Sequence, residues 1–349
     1  MRCGSLCYDY EVITTRILAA ATHFPSAPIS MDEIEKRIID SSESKAKLPV
    51  RSIKRLTGVQ QVFHRADGEN ASDLASEAAK KAMRQAGVSP DEIDMLIFAS
   101  ASQDLIEPAT SHIIAHNLGT TSPVFDIKNA CNSFLNGMQV ANLFITSGTY
   151  KTVLVVTGET PSVSMRWNCR NREEFTKSFA GFSMSDSGGA VVLQADTTGK
   201  HRGIISVDMD ANSQMWDVGI LGTGGSRFPR DEDATYFNMD GHALYNAFKS
   251  VGCDMLFQKI SERKLNWNDF AAVGMHQVSS IYNEMLLKEL NIPTNKAVAT
   301  IKEYGNLASN SLPLQLETVI NSGRVKPGEL FAFVGLGGGI STGLGIFEL

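Results

Sequence analysis

The chain has no apolar run long enough to cross a membrane. Its longest, Met95–Ala101 and Val153–Val156, fall far short of the ~20 residues a spanning helix requires. It opens on MRCGSLCYDYEVITTRILAAATHF, without the basic-then-apolar layout of a signal peptide. It has no block of lysine or arginine. Its 32 basic residues against 38 acidic ones give a net charge of −6, which argues against nucleic acid as a main partner. Cysteine is scarce, five in 349 residues, odd in number and scattered. A disulfide framework is therefore not expected, and a reducing, cytoplasmic setting is. Cys3-x3-Cys7 supplies half the donors of a metal site, but no His/Cys pair follows at finger spacing, and no metal is expected. The glycine-rich stretches SDSGGA (185–190) and GLGGGIS (335–341) fit neither a Walker nor a dinucleotide pattern. Close backbone approach to a substrate is their better use.

What is present is an ordinary globular composition, 43% hydrophobic and 20% charged. The length suggests roughly two units of about 150 residues. It also hides a repeat. Residues 91–159 and 268–339 each read as an apolar strand, a loop, a helix, a short strand, a turn, a longer helix ending in Ser-Gly, and another apolar strand. Ser147-Gly148 and Ser322-Gly323 are 175 residues apart, as are Cys131 and Asn306. Strands alternating with helices argue for parallel sheets covered by helices, an α/β fold.

Around the copies, the pattern predicts a first strand in VITTRILAAA, a helix from Met31 and another over Ala71–Ala86. Between them lie a sheet-like pair, GGAVVLQ (188–194) and GIISVDM (203–209), and a Gly-rich, charged stretch (216–237) that reads as a loop over a pocket. One helix is expected from about Gly241 to Arg263, capped by Asp240.

Cys131 sits in FDIKNACNSF, where a strand runs through a small-residue turn into an amphipathic helix. A thiol at a helix N-terminus is expected to have a lowered pKa, and the adjacent backbone amides suit an oxyanion. A buried core cysteine is the plain alternative. His276 follows an apolar strand, and Asn306 follows Gly305 at a helix start. Alone these read as a structural histidine and an N-cap. The repeat makes Cys131 and Asn306 equivalent, so a pseudo-twofold would bring the three together where ligands bind such sheets. Glu107, beside Pro108 in SQDLIEPATS, reads on spacing alone as a solvent-facing loop acid.

DIKNACNSF, MHQVS, YGNLASNSLP and GLGGGIS, in that order, resemble the ketoacyl-carrier-protein synthase III branch of the thiolase superfamily. The likeness runs along nearly the whole chain, from the Leu56-Thr57-Gly58-Val59 turn through SDSGGAVVL to the closing strand at Phe347. It implies the five-layer αβαβα thiolase fold in two pseudo-symmetric halves, residues 1–195 and 196–349. It also implies that Cys131 is the acylated nucleophile. His276 and Asn306 would hydrogen-bond the thioester carbonyl or enolate, and the amides of Cys131 and Gly338 would form the oxyanion hole. No free cofactor is implied, since CoA or phosphopantetheine carries the acyl group.

Two departures from the branch matter. KLPVRSIKRLTG has no Trp, and Leu56 stands where the branch has an Arg. This favours an acyl carrier protein over CoA as donor, with Lys54 and Arg55 available to phosphates. DLIEPAT carries the glutamate of the subgroup that joins two long acyl thioesters head to head in olefin synthesis. It is also similar to makers of α-pyrones and dialkylresorcinols, and VTGET (156–160) leans the same way. There Glu107 would reach across a homodimer, formed through the strands before Cys131, as base on the second chain's α-carbon.

The first expectation is thus Claisen condensation of two acyl thioesters through acyl-Cys131. Alternatives are decarboxylative condensation with a malonyl carrier protein, acyl transfer to oxygen or nitrogen, and a non-catalytic binding partner, which the intact Cys/His/Asn set opposes. Lys249, Lys259 and Arg263 read as a carrier-docking face or a solvated helix face. Met165, Trp167, Phe179 and Phe182 read as tunnel lining or plain core.

Overall fold

The computed structural model describes residues 13–25, 27–42, 48–200 and 202–349. Cys3 and Cys7 lie outside the described residues. Two sheets carry the fold. The first has five strands, in the spatial order Thr14–His23, Ser187–Asp196, Thr152–Glu159, Met95–Ala99, Val124–Ile127. The second has four, in the order Phe270–Met275, Leu330–Gly337, Ser341–Glu348, Ile204–Ala211.

The two sheets are the same design twice. In each, the central strand pairs in parallel with one neighbour and antiparallel with the other. The first sheet's edge strand Val124–Ile127 has its counterpart in Ala297, reduced to one bridge with Val273. The two strands expected as a sheet-like pair, GGAVVLQ and GIISVDM, do not pair with each other. The first strand pairs with Thr14–His23, and the second with Ser341–Glu348, in the other sheet. Each is bound to a partner in its own half, so the polar turn between them is a crossing from one half to the other.

Strand alternation sorts the layers. In Met95–Ala99, Met95, Ile97 and Ala99 face the central core, while Leu96 and Phe98 face an outer one. In Leu330–Gly337, Phe331 and Phe333 face the centre and Ala332, Val334 and Leu336 face outward. A two-residue period with both faces buried is the signature of a sheet between helical layers. The central layer is the helix pair Ser133–Thr146 and Ser311–Asn321, which supplies Phe134, Leu135, Met138, Leu312, Leu316 and Val319. Gly137 lets that layer approach closely. A Cβ there would stand 2.7 Å from that of Ala99. The outer layers are Ala71–Ala86 with Thr110–Leu118 on one side, and the helices of 241–289 on the other. This is α-β-α-β-α.

The helix at Ala71–Ala86 and the start at Met31, capped by Ser30, fall where the pattern put them. The single helix expected over 241–263 is two, Gly241–Val251 and Asp254–Glu262. Gly252, at φ +74°, breaks it between them. The apolar spacing continues in phase across the break, which is why the pattern reads as one. The 216–237 stretch forms short turns and a two-residue strand pair, tied to the first half where Phe237 N donates to Ser164 O at 3.0 Å.

Candidate active site

The loop before the helix Ser133–Thr146 is a bend built by its own polar residues. Ser133 Oγ accepts from Asn129 N–H at 2.8 Å and donates to Ala130 O at 2.7 Å. Ala130 is held at φ +45°, a conformation a residue with a Cβ adopts only at a cost of about 1–2 kcal/mol. Cys131 follows it, partly exposed, with a free thiol. The second half pins the bend: Asn132 Nδ2 donates to Ser341 Oγ at 2.8 Å and Ser341 O at 3.1 Å. The GLGGG strand end lies against it. A Cβ on Gly335 would fall 2.1 Å from Asn132 Oδ1, and one on Gly338 3.8 Å from that of Ala130. Gly338 is therefore beside Ala130, the residue before Cys131.

His276 emerges from the strand end at Met275, and the sequence fixes that end twice. Gln315, fully buried, accepts from Met275 N–H at 2.7 Å and donates to Met275 O at 2.8 Å. His276 N donates to Val334 O at 3.0 Å. The ring is 3% exposed, and its Nδ1 lies 3.3 Å from Ser311 Oγ. Burial pushes its pKa down to about 4, opposed by a hydrogen bond with the Ala308 backbone. The imidazole is thus neutral at neutral pH.

Asn306 is not a helix N-cap. Its Oδ1 accepts from Ala308 N–H at 3.0 Å, two residues on. With Oδ1 held, Nδ2 is the end that can donate to a ligand. Its backbone docks on the first half, with Asn306 N donating to Ser183 O and Ser185 N to Asn306 O, both at 2.9 Å. Ala308 therefore joins His276 to Asn306, and the Asn306 backbone lies at the seam between the halves.

The thiol's environment differs from the expected one. Desolvation first, then the negative charge of Glu159, push the Cys131 pKa up to about 12, and a backbone hydrogen bond opposes them. A helix start lowers a thiol pKa, whereas desolvation of this partly exposed thiol and the buried Glu159 carboxylate act the other way. Glu159 is a residue that spacing alone did not single out, although VTGET drew notice. The carboxylate is 1% exposed. It accepts from Ala101 N–H at 2.8 Å, Ser102 N–H at 3.1 Å, Ser102 Oγ at 2.9 Å, and Ser309 Oγ.

Glu107 is not brought to this group within the protomer. It is exposed on a projecting loop with Leu105 (51%) and Ile106 (68%). Lys54 and Arg55 line an open groove of 680 Å³ with Arg51, Lys36 and Gln60. Lys54 also pairs with Asp32 at 3.0 Å. That groove adjoins the site. The Gly58 turn packs on Ser280, four residues beyond His276, and Gln60 N donates to Lys302 O at 2.8 Å, four residues before Asn306. The late-helix basic residues do not make a free patch. Lys259 pairs with Glu262 at 3.0 Å and Arg263 with Asp208 at 3.4 Å, while Lys249 lies 4.6 Å over the Tyr245 ring. Met165 and Phe182 are buried in a core cluster with Phe175 and Ile34, and Trp167 and Phe179 pack against it. The plain-core reading is the one these contacts support.

Residues 125–213 match the family 3-Oxoacyl-[acyl-carrier-protein (ACP)] synthase III, and residues 260–349 match its C-terminal model. A beta-ketoacyl-[acyl-carrier-protein] synthase III of Xanthomonas campestris is 30% identical over 338 residues, covering 95% of this chain and 97% of that protein. One from Clostridium perfringens is 30% identical over 302 residues, covering 85% and 90%. A crystal structure of a Xanthomonas campestris OleA variant aligns with TM-score 0.86 at 22% identity, over 96% of this chain and 98% of that one. The 3-oxoacyl-[acyl-carrier-protein] synthase III of Aquifex aeolicus aligns with TM-score 0.81 at 26% identity, over 96% and 100%.

The architecture is therefore the thiolase fold, and the class is that of the acyl-condensing transferases. The chain belongs to the 3-oxoacyl-[acyl-carrier-protein] synthase III family and is a ketosynthase III-type acyltransferase. Among the described residues no helix is long and apolar enough to cross a membrane.

Proposed function

We propose that the protein joins two acyl thioesters by a non-decarboxylative Claisen condensation. Cys131 Sγ attacks the carbonyl of the first thioester. The oxyanion is received by the amides of Cys131 and Gly338, and the carrier thiol leaves with a proton. Glu107 of the partner subunit removes the α-proton of the second thioester. Its carbanion attacks acyl-Cys131, the Cys131 thiol is released, and a 2-alkyl-3-ketoacyl thioester remains. His276 and Asn306 donate to the thioester oxygen whose enolate forms. The neutral imidazole adds no charge, and its single N–H turns from the Ala308 backbone to that oxygen.

The observation that carries the reading is Glu107 itself, an acid exposed on a loop directly after the exposed apolar pair Leu105 and Ile106. Decarboxylation makes a carbanion without a base, whereas an unactivated thioester requires one. An edge strand, Val124–Ile127, runs into Cys131 and among the described residues pairs only on its Met95–Ala99 side. This supports a homodimer in which that strand pairs with its copy and Glu107 enters the opposite site. The halves 1–195 and 196–349 then divide the work, the first giving Cys131 and Glu107, the second His276, Asn306 and Gly338. The groove of Arg51, Lys54 and Arg55 suits the phosphate of a carrier protein's pantetheine arm, or of CoA.

Decarboxylative condensation of a malonyl carrier protein is the second reading. It is favoured by the relatives at 30% identity, which are beta-ketoacyl-[acyl-carrier-protein] synthases III. Glu107→Ala separates the two. Intact mass should show Cys131 acylated as in the wild type while condensation is lost. Condensation that survives Glu107→Ala would overturn the base role, and acylation that survives Cys131→Ala would move the nucleophile elsewhere.

A further inference from the structure

We propose that Glu159 is a positioning residue. It is a buried carboxylate that straps the Asn306 loop of the second half to the root of the Glu107 loop of the first, so that a protomer's own site and the base it lends its partner are set together. The inference rests on the reading above for the role of Glu107. The strap itself does not.

Each residue from 306 to 311 that carries a polar side chain is tied by it. Asn306 holds the Ala308 N–H. Ser309 donates to Glu159 Oε1. Asn310 Nδ2 donates to Ser187 Oγ at 2.8 Å and Gly188 O at 3.0 Å, and its Oδ1 accepts from Thr157 at 3.0 Å. Ser311 Oγ meets His276. The loop is thus laid along the ends of two first-half strands, and Glu159 is the only charged member of the set.

On its other side, Glu159 takes both amides at the start of the 101–109 loop, Ala101 and Ser102. The next residues are also fixed: Gln103 accepts from Lys128 at 3.1 Å, and Asp104 N donates to Thr110 Oγ1 at 3.1 Å. Leu105, Ile106, Glu107 and Pro108 then form an exposed tip. A rigid root with a free tip suits a loop that must place a base in another subunit. All four groups on Glu159 are donors. A carboxylate accepts them all, whereas a glutamine would point its NH2 at two of them.

Glu159 also acts on the thiol by its charge, which opposes thiolate formation at Cys131. Position and charge can therefore be separated. Ser309→Ala cuts the strap and keeps the charge, whereas Glu159→Gln removes the charge and mispairs the strap. Three readouts are taken on the purified protein: product formation from two acyl thioesters, Cys131 acylation by intact mass, and the rate of Cys131 alkylation by iodoacetamide against pH. Ser309→Ala should lower kcat for condensation by about 10- to 100-fold with the alkylation profile unmoved. Glu159→Gln should lower it at least as much and alkylate Cys131 about tenfold faster at pH 8, one unit of thiol pKa. Condensation within twofold of wild type for Ser309→Ala would overturn the strap, as would an alkylation profile that moves in both variants. If Glu159→Gln fails to fold, Ser309→Ala alone decides. If the wild type makes no product from two thioesters, the reading of Glu107 fails. The strap is then judged on acylation by one thioester, which Ser309→Ala should slow about tenfold, and which an unchanged rate would contradict.

Discussion

Ala130 and Gly305 both hold a positive φ, +45° and +69°, 175 residues apart, one directly before Cys131 and the other directly before Asn306. Cys131 is reached from the strand Val124–Ile127, and Asn306 from the short helix Ile301–Tyr304. The turns are not equally tolerant. A Cβ at Gly305 would stand 2.7 Å from Ser185 Oγ and 2.8 Å from Ser183 O. Gly305→Ala is expected to destabilise the protein by about 1–3 kcal/mol and to lower condensation. Ala130→Gly should leave the melting temperature nearly unchanged. Differential scanning calorimetry of the two variants checks this, and equal effects would contradict the account.

Gln315 has both ends on the Met275 backbone and no exposure. Gln315→Leu leaves a buried N–H and C=O unpaired, at about 1–3 kcal/mol for each group left unsatisfied. Urea unfolding should show that loss. Activity should fall with it, because Met275 sets where His276 leaves the strand. A stable variant of unchanged activity would remove Gln315 from the site's support.

The pH response follows from His276. Its folded pKa is about 4, below the unfolded value of about 6.5. As pH falls below about 6.5 the unfolded chain binds the proton and the folded one does not, so stability is lost down to about pH 4. The 2.5-unit gap is worth about 3 kcal/mol. His64, also pushed down to about 4 by burial, adds in the same direction. Urea midpoints at pH 7, 5.5 and 4.5 should fall in that order, and by less in His276→Asn. A flat profile would contradict the buried, neutral ring.

The Cys131 thiol, at about 12, rests protonated at neutral pH. Its alkylation should rise about tenfold per pH unit from 7 to 9, without levelling. A plateau below pH 8 would mean that the helix start outweighs burial and Glu159.

The repeat, the fold class and the junctions that carry Cys131 and His276 were legible because each depends on local pattern: strand alternation, a small-residue bend, a 175-residue offset. Gly252 was missed because the apolar period continues in phase across it. Strand pairing was misjudged at 188–209 because two adjacent strands with a turn between them carry no mark that they belong to different sheets. The thiol's raised pKa was illegible because it depends on Glu159, 28 positions away in the chain, and on burial, which no local pattern reports. Glu107 was legible only through resemblance. On its own it is an exposed loop acid, and within one chain the structure leaves it so.

The central claim is condensation of two acyl thioesters without decarboxylation. The direct measurement is the mass of the product formed from two saturated acyl thioesters, with and without a malonyl thioester. A 2-alkyl-3-keto product, or the ketone left after its hydrolysis and loss of CO2, is predicted in the absence of the malonyl donor. A product that appears only when the malonyl thioester is supplied would contradict it.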